Sequence, residues 1–170
     1  CAFLPIIGMK NGMVPIIAYN SGARRPARIM QTIKLAIANA VGIMVVAEVE
    51  FEIFPVQLLG VFQASEEMLA IGVPALRTLS LCFLVGGFTI VASSVFQALG
   101  KGLLSMSISI FRQLVLVLPL AYLFARTGEL NLVWWSFPVA EVLAGALAAF
   151  YLRRAYRRVI RPLTQEDYRF

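Results

Sequence analysis

The chain has 170 residues, 60% of them hydrophobic and 14% charged, with a net charge of +6 and a mean hydropathy of +0.83. A water-soluble domain carries about 25% charged residues, so this much apolar surface must face lipid or other helices. Histidine is absent and the two cysteines, Cys1 and Cys82, lie in unrelated contexts, which leaves almost no material for a zinc site, a haem site or a histidine-based triad.

The first predicted span covers residues 2–19, punctuated by Pro5, Gly8, Gly12 and Pro15 and closed by Asn20-Ser21-Gly22. Cys1 opens directly into an apolar run. A lipid-modified N-terminal cysteine would instead lead into a polar tether, so the expectation is the C-terminal part of a longer protein, where no signal peptide would show. The second span starts at Ala27 and continues to Val46 or slightly beyond, tapering through Glu48, Glu50 and Glu52 to Pro55, which breaks the helix. Residues 56–62 are too few to cross a bilayer and read as an interfacial turn. Ser65 caps the third helix, with Glu66 and Glu67 in its first turn. That helix is expected to run unbroken to Leu99, about 34 residues or roughly 50 Å, ending at Gly100-Lys101-Gly102. The fourth span covers residues 103–125 and the fifth residues 132–151, with a basic continuation to Ile160. The short connection 126–131 makes these two antiparallel neighbours.

The fold class this predicts is all-α: a polytopic transmembrane bundle of about five helices. Residues 1–160 form its membrane part and residues 161–170 a cytoplasmic tail, polar and frayed from Gln165. Orientation follows from the cations. Arg24, Arg25, Arg28, Lys34, Lys101, Arg153, Arg154, Arg157, Arg158 and Arg161 fall on one side, against Arg126 and Arg77 towards the other. Positive residues mark the cytoplasmic face, which puts the C-terminus in the cytosol and the acidic segment 48–67 outside. Trp134 and Trp135 then sit at the outer end of the fifth span, with Tyr151 and Tyr156 at its inner end. Because the cations flank apolar spans, the lipid bilayer is the expected partner and nucleic acid is not.

Ionisable groups inside the hydrocarbon point to function by default. Lys10 lies about 15 Å along its helix from the cytoplasmic end, close to midplane, beside glycines and prolines that loosen the helical hydrogen bonding. It is either a cavity-facing cation for anionic substrate groups or half of a structural ion pair. Glu141, one turn beyond Pro138, shares a face with Ala144, Gly145 and Ala148. It either binds a proton or Na⁺ or is hydrogen-bonded between closely packed helices. Arg112, beside Gln113, reads as a structural anchor or a snorkelling charge, and Arg77 as a partner for Glu66 or Glu67. Thr78, Ser80, Thr89, Ser93, Ser94 and Gln97 repeat along the third helix. Ser93 and Gln97, one turn apart, either line a wet path or hydrogen-bond between helices. Gly86-Gly87 and Pro119 are the predicted bending points. No hydrolase triad, phosphate loop or acid pair emerges, so an enzyme is not expected.

The stretch Gly12-Met13-Val14-Pro15-Ile16-Ile17-Ala18-Tyr19-Asn20-Ser21-Gly22-Ala23, followed by Arg28, resembles a signature of the multidrug and toxic compound extrusion family. Phe96-Gln97-Ala98-Leu99-Gly100-Lys101, then Arg112-Gln113 with Pro119-Leu120, follow in the order that family requires. The resemblance implies helices eight to twelve of a twelve-helix, two-lobe transporter in a plasma (cytoplasmic) membrane, with an N-terminal lobe of the same polypeptide preceding them. It also implies export of drugs or metabolites in exchange for H⁺ or Na⁺ by alternating access, with no other cofactor and no bound metal. Some members place an acidic coupling residue in the tenth helix; the third span here has none after Glu66-Glu67, which points to coupling in the N-terminal lobe. Lys10 and Asn11 stand where a milder polar pair is expected, and this favours anionic or zwitterionic substrates. On this reading Lys10, Asn11, Ser93, Gln97 and Glu141 are transport-path candidates, and Gly12, Pro15, Asn20, Gly22, Ala23, Arg28, Arg112 and Pro119 are motif or gating candidates. Two alternatives remain: a lipid-linked oligosaccharide flippase of the same superfamily, which needs a more cationic cavity, and a membrane structural subunit that transports nothing.

Overall fold

The structure, a computed structural model, describes residues 4–162. The predicted tail at 165–170, like Cys1, lies outside the described residues. Among the described residues, eight α-helices follow in order: α1 (Leu4–Gly22), α2 (Pro26–Ile53), α3 (Pro55–Gly60), α4 (Glu66–Ser80), α5 (Cys82–Ala98), α6 (Gly102–Ile110), α7 (Leu118–Ala125) and α8 (Leu130–Ala155). A π-helical turn, Phe111–Val117, joins α6 to α7, and another, Tyr156–Ile160, continues α8.

The spacing of buried residues explains how these helices pack. In α2 the buried positions are Pro26, Ile29, Ile33, Ala36, Ala40, Met44 and Ala47, steps of three and four that form one stripe. The stripe faces Ile6, Met13 and Ile17 of α1 and Phe83, Val91 and Val95 of α5 in a single apolar cluster. A second cluster joins Ala92 and Phe96 of α5 to Ile108 of α6 and Ala148 and Ala155 of α8. Buried residues therefore surround α5, as they must when a helix is enclosed by others. α5 is the axis of the bundle, with α1, α2, α6 and α8 packed around it.

Several expectations need correction. The third helix is not straight: α4 and α5 meet at 46° about Leu81. The Ser80 hydroxyl donates to the Arg77 carbonyl at 2.8 Å and also lies 3.2 Å from Glu52 Oε1. Arg77 reaches Glu52 as well, with Nε 3.7 Å from Oε2, so its partner is the end of α2 and not Glu66 or Glu67. Local side-chain bonding to the backbone competes with the helical ladder there, and Glu52 anchors the corner. Gly86-Gly87 is not the hinge; both glycines are buried within α5, where Gly87 lets the Ala40 carbonyl of α2 approach.

The first helix also ends later than expected. Asn20-Ser21-Gly22 remains helical, and the chain turns at Arg24, whose φ of 52° is left-handed. Among the described residues, three helical segments, Pro26–Ile53, Gly102–Ala125 and Leu130–Ile160, are long and apolar enough to cross a bilayer, and the bent α4–α5 pair makes a fourth. α1, described from Leu4 onward, packs on α2 and α5 as the fifth member of the bundle. In the fourth span the π turn ends two residues before Pro119, whose ring would clash with the Val115 carbonyl and offers it no N–H; a widened turn relieves both.

Candidate functional site

A polar cleft of about 170 Å³ opens where α1, α5, α6 and the first π turn converge. α5 contributes Thr89, Ser93 and Gln97, each one turn from the next, with Ser94 beside them. α6 contributes Ser105 and Ser109, and the π turn adds Arg112 at the following turn. Lys10 enters from α1.

Hydrogen bonds within the cleft are mostly local. The hydroxyls of Thr89, Ser94 and Ser109 donate to the carbonyls of Val85, Ile90 and Ser105 at 2.9, 2.7 and 3.2 Å. The proton of each hydroxyl is thereby committed to the backbone. Gln97 Nε2 donates to Ser105 Oγ at 3.1 Å and joins α5 to α6 across the cleft. Lys10 has no ion-pair or hydrogen-bond partner among the described residues.

Arg112 is tied down from the opposite side. Its Nη1 donates to both oxygens of Glu141 on α8, at 3.0 and 3.3 Å. Glu141 is 8% exposed, and its neighbours Ala144, Gly145 and Ala148 are buried against α5 and α6. A guanidinium at 3.0 Å repels any metal cation from this carboxylate, so the geometry suits Glu141 to an interhelical ion pair better than to Na⁺ binding. No cluster of three or more metal-ligating side chains occurs among the described residues.

Four sequence-level candidates thus converge on one place: Lys10, Ser93, Gln97 and Arg112 line the cleft, while Glu141 holds Arg112 from behind. Asn11, Gly12 and Pro15 are exposed on α1 and stand outside it. Asn20 and Arg28 line a different cleft of about 400 Å³ at the α1–α2 turn, where Asn20 Nδ2 donates to the Ile16 carbonyl at 2.8 Å. Gly22 and Ala23 are exposed near the same turn, and Pro119 is exposed in α7. Sequence reasoning missed Ser105 and Ser109. Their i, i+4, i+7 spacing with Arg112 was the available signal.

Residues 1–123 match the MatE family. The chain belongs to that family. The match runs from α1 into α7, so α8, with Glu141 and the terminal arginines, lies beyond it. The multidrug export protein MepA of Staphylococcus saprophyticus is 29% identical over 149 residues, which are 88% of this MatE chain and 32% of the relative. Among solved structures, the MATE multidrug transporter DinF-BH, determined with a bound ligand, is 31% identical with a TM-score of 0.85, covering 94% of this chain and 35% of that one. A MOP superfamily transporter from Pyrococcus furiosus, described as having a binding pocket of reverse polarity that suggests a different function, is 26% identical. It has the same TM-score, with 96% and 36% covered. The chain spans about a third of the length of the relatives it matches. The all-α polytopic bundle and the family expected from sequence are therefore both found.

Proposed function

We propose that this chain is the C-terminal lobe of a secondary exporter, a transporter and not an enzyme, which moves drugs or metabolites against H⁺ or Na⁺ by alternating access with an N-terminal lobe. Family membership supports the reading, as do a relative named for multidrug export and a solved multidrug transporter holding a ligand. Substrate and coupling ion each favour one arrangement of the lobes and shift the balance by their differential affinity. Coupling is assigned to the N-terminal lobe, because the one buried carboxylate among the described residues, Glu141, is held by Arg112. The excess of lysine and arginine on one side supports a cytoplasmic C-terminus in the plasma membrane.

Lys10 carries the substrate assignment. An unpartnered ammonium facing a cleft whose lining holds a second cation, Arg112, favours anionic or zwitterionic compounds. A charge-assisted contact contributes about 1.5–3 kcal/mol. In proteoliposomes holding the full-length transporter, Lys10→Gln is therefore expected to raise KM for such substrates roughly 10- to 100-fold, with Lys10→Arg largely retaining transport. Unchanged export of every substrate by Lys10→Gln would overturn the assignment. The same cations leave a lipid-linked oligosaccharide flippase as second reading, supported by the reverse-polarity relative; loss of surface polysaccharide on gene deletion would select it.

A further inference from the structure

One face of α8 changes chemistry without changing direction. Val139, Val142, Leu143, Ala146 and Phe150 are exposed at helical spacing, and Arg153, Arg154, Arg157 and Arg158 continue the same stripe. The opposite face, from Ser136 through Ala148 to Ala155, is buried against the bundle. Leu130–Ile160 spans 31 residues, roughly 46 Å at 1.5 Å per residue, against a hydrocarbon thickness of about 30 Å. In a bilayer this length sets the apolar part of the stripe at the depth of the acyl chains and its arginine part at the depth of the headgroups.

The four arginines and Phe150 line a cleft of about 450 Å³. All four arginines are exposed, and none pairs with a carboxylate among the described residues. Phe150 is 59% exposed and packs edge-on against Tyr151 at 5.6 Å between ring centroids, so the cleft has an apolar wall on its bilayer side. Guanidinium forks on successive turns match phosphate oxygens two at a time. We propose that this cleft is a binding site for the phosphate of an anionic phospholipid, whose acyl chains run along the Val139–Phe150 stripe. A free phosphate would use the arginines but leave the apolar wall without a partner. This site stands apart from the Lys10 cleft and holds for whichever leaflet receives the end of α8.

Arginines placed only to set membrane orientation would serve equally well as lysines, and this separates the two roles. The full-length transporter in nanodiscs of phosphatidylcholine is titrated with phosphatidylglycerol, reading bound lipid by native mass spectrometry and the unfolding temperature in parallel. Wild type is expected to retain phosphatidylglycerol and to unfold at higher temperature as it is added. Replacing all four arginines by lysine keeps the charge and should weaken retention on the order of tenfold, because single contacts replace bidentate ones. The pair Arg25→Lys and Arg28→Lys, at the other basic cluster, should leave retention unchanged. Equal binding of phosphatidylcholine and phosphatidylglycerol by wild type overturns the proposal without any variant. So does full retention after the lysine replacements, or displacement of the lipid by millimolar inorganic phosphate.

Discussion

Arg112 and Glu141 stand 29 residues apart, and their 3.0 Å contact joins the π turn to α8. The buried Glu141 carboxylate has lost most of its hydration and relies on the guanidinium for compensation. Removing one partner of a fully buried pair costs about 3–5 kcal/mol. The Arg112 side chain is 34% exposed, so solvent screening brings the expected loss down to about 2 kcal/mol. Arg112→Leu should therefore lower the unfolding temperature in detergent more than Arg112→Leu combined with Glu141→Leu, where two apolar side chains replace the pair and strand no charge. A double variant that loses the sum of the two single losses would mean the residues are not coupled. Sequence alone says that charges inside spans need partners, but not which ones. For Glu141 it leaves both ion binding and interhelical bonding open, and only the fold brings the π turn beside α8. Lys10 shows the converse: its place within the first helix is legible from sequence, whereas the serines that share its cleft come from two other helices.

Helix ends show what local sequence can and cannot mark. α1, α3 and α5 close with the same backbone pattern, in which two N–H groups fold back onto the last turn. After α5, Lys101 N–H donates to Phe96 and Gly100 N–H to Gln97, at 2.8 and 3.1 Å. After α1, Arg25 donates to Asn20 and Arg24 to Ser21, at 2.9 and 3.3 Å; after α3, Ala64 donates to Leu59 and Gln63 to Gly60, at 3.4 and 2.9 Å. The left-handed residue is Gly100 in the first case, with φ of 73°, but Arg24 and Gln63 in the others, at 52° and 54°. Glycine announces such an end, and the helix stops at Gly100 as its sequence predicts. Arg24 announces nothing, so sequence closes the first helix too early, and the corner at Leu81 depends on Glu52 from another helix. A side chain in the left-handed region costs about 1–2 kcal/mol. Since a Cβ at Gly100 would meet nothing within 4 Å, Gly100→Ala should lower stability by about 1 kcal/mol through backbone strain alone, and Gln63→Gly should raise it by a similar amount. Gly102→Ala, equally uncrowded and without a positive φ, is the control, and thermal unfolding of the three variants checks the ordering. Equal effects at Gly100 and Gly102 would remove the strain argument.

At the scale of the molecule, α5 holds the lobe together by letting its neighbours come close. A Cβ on Gly87 would lie 3.3 Å from the Ala40 carbonyl of α2, and one on Gly145 of α8 would lie 2.5 Å from Val85 Cγ1. Interiors packed this tightly shift as units and do not deform continuously, which suits the alternating access proposed above. The cleft depends on that packing. Glu141 sits one turn before Gly145 on α8, and it positions Arg112. A methyl group at 145 must push α8 away from α5, because Val85 is β-branched and has little rotamer freedom to retreat. Gly145→Ala gains up to about 1 kcal/mol of helix propensity, but overpacking costs about 1–3 kcal/mol, so a net loss is expected despite the better helix former. The same displacement should carry the Glu141 carboxylate away from Arg112 and lower transport by the full-length protein. Val85→Ala returns the missing space. Combined with Gly145→Ala it should restore both unfolding temperature and transport towards wild type, although Val85→Ala alone leaves a small void and is itself destabilising by about 1–2 kcal/mol. Parallel unfolding and proteoliposome transport measurements on the two single variants and the double variant supply the check. Strictly additive losses would show that the α5–α8 contact does not control the cleft, whereas recovery in the double variant would tie the position of Arg112 to the closeness of two helices.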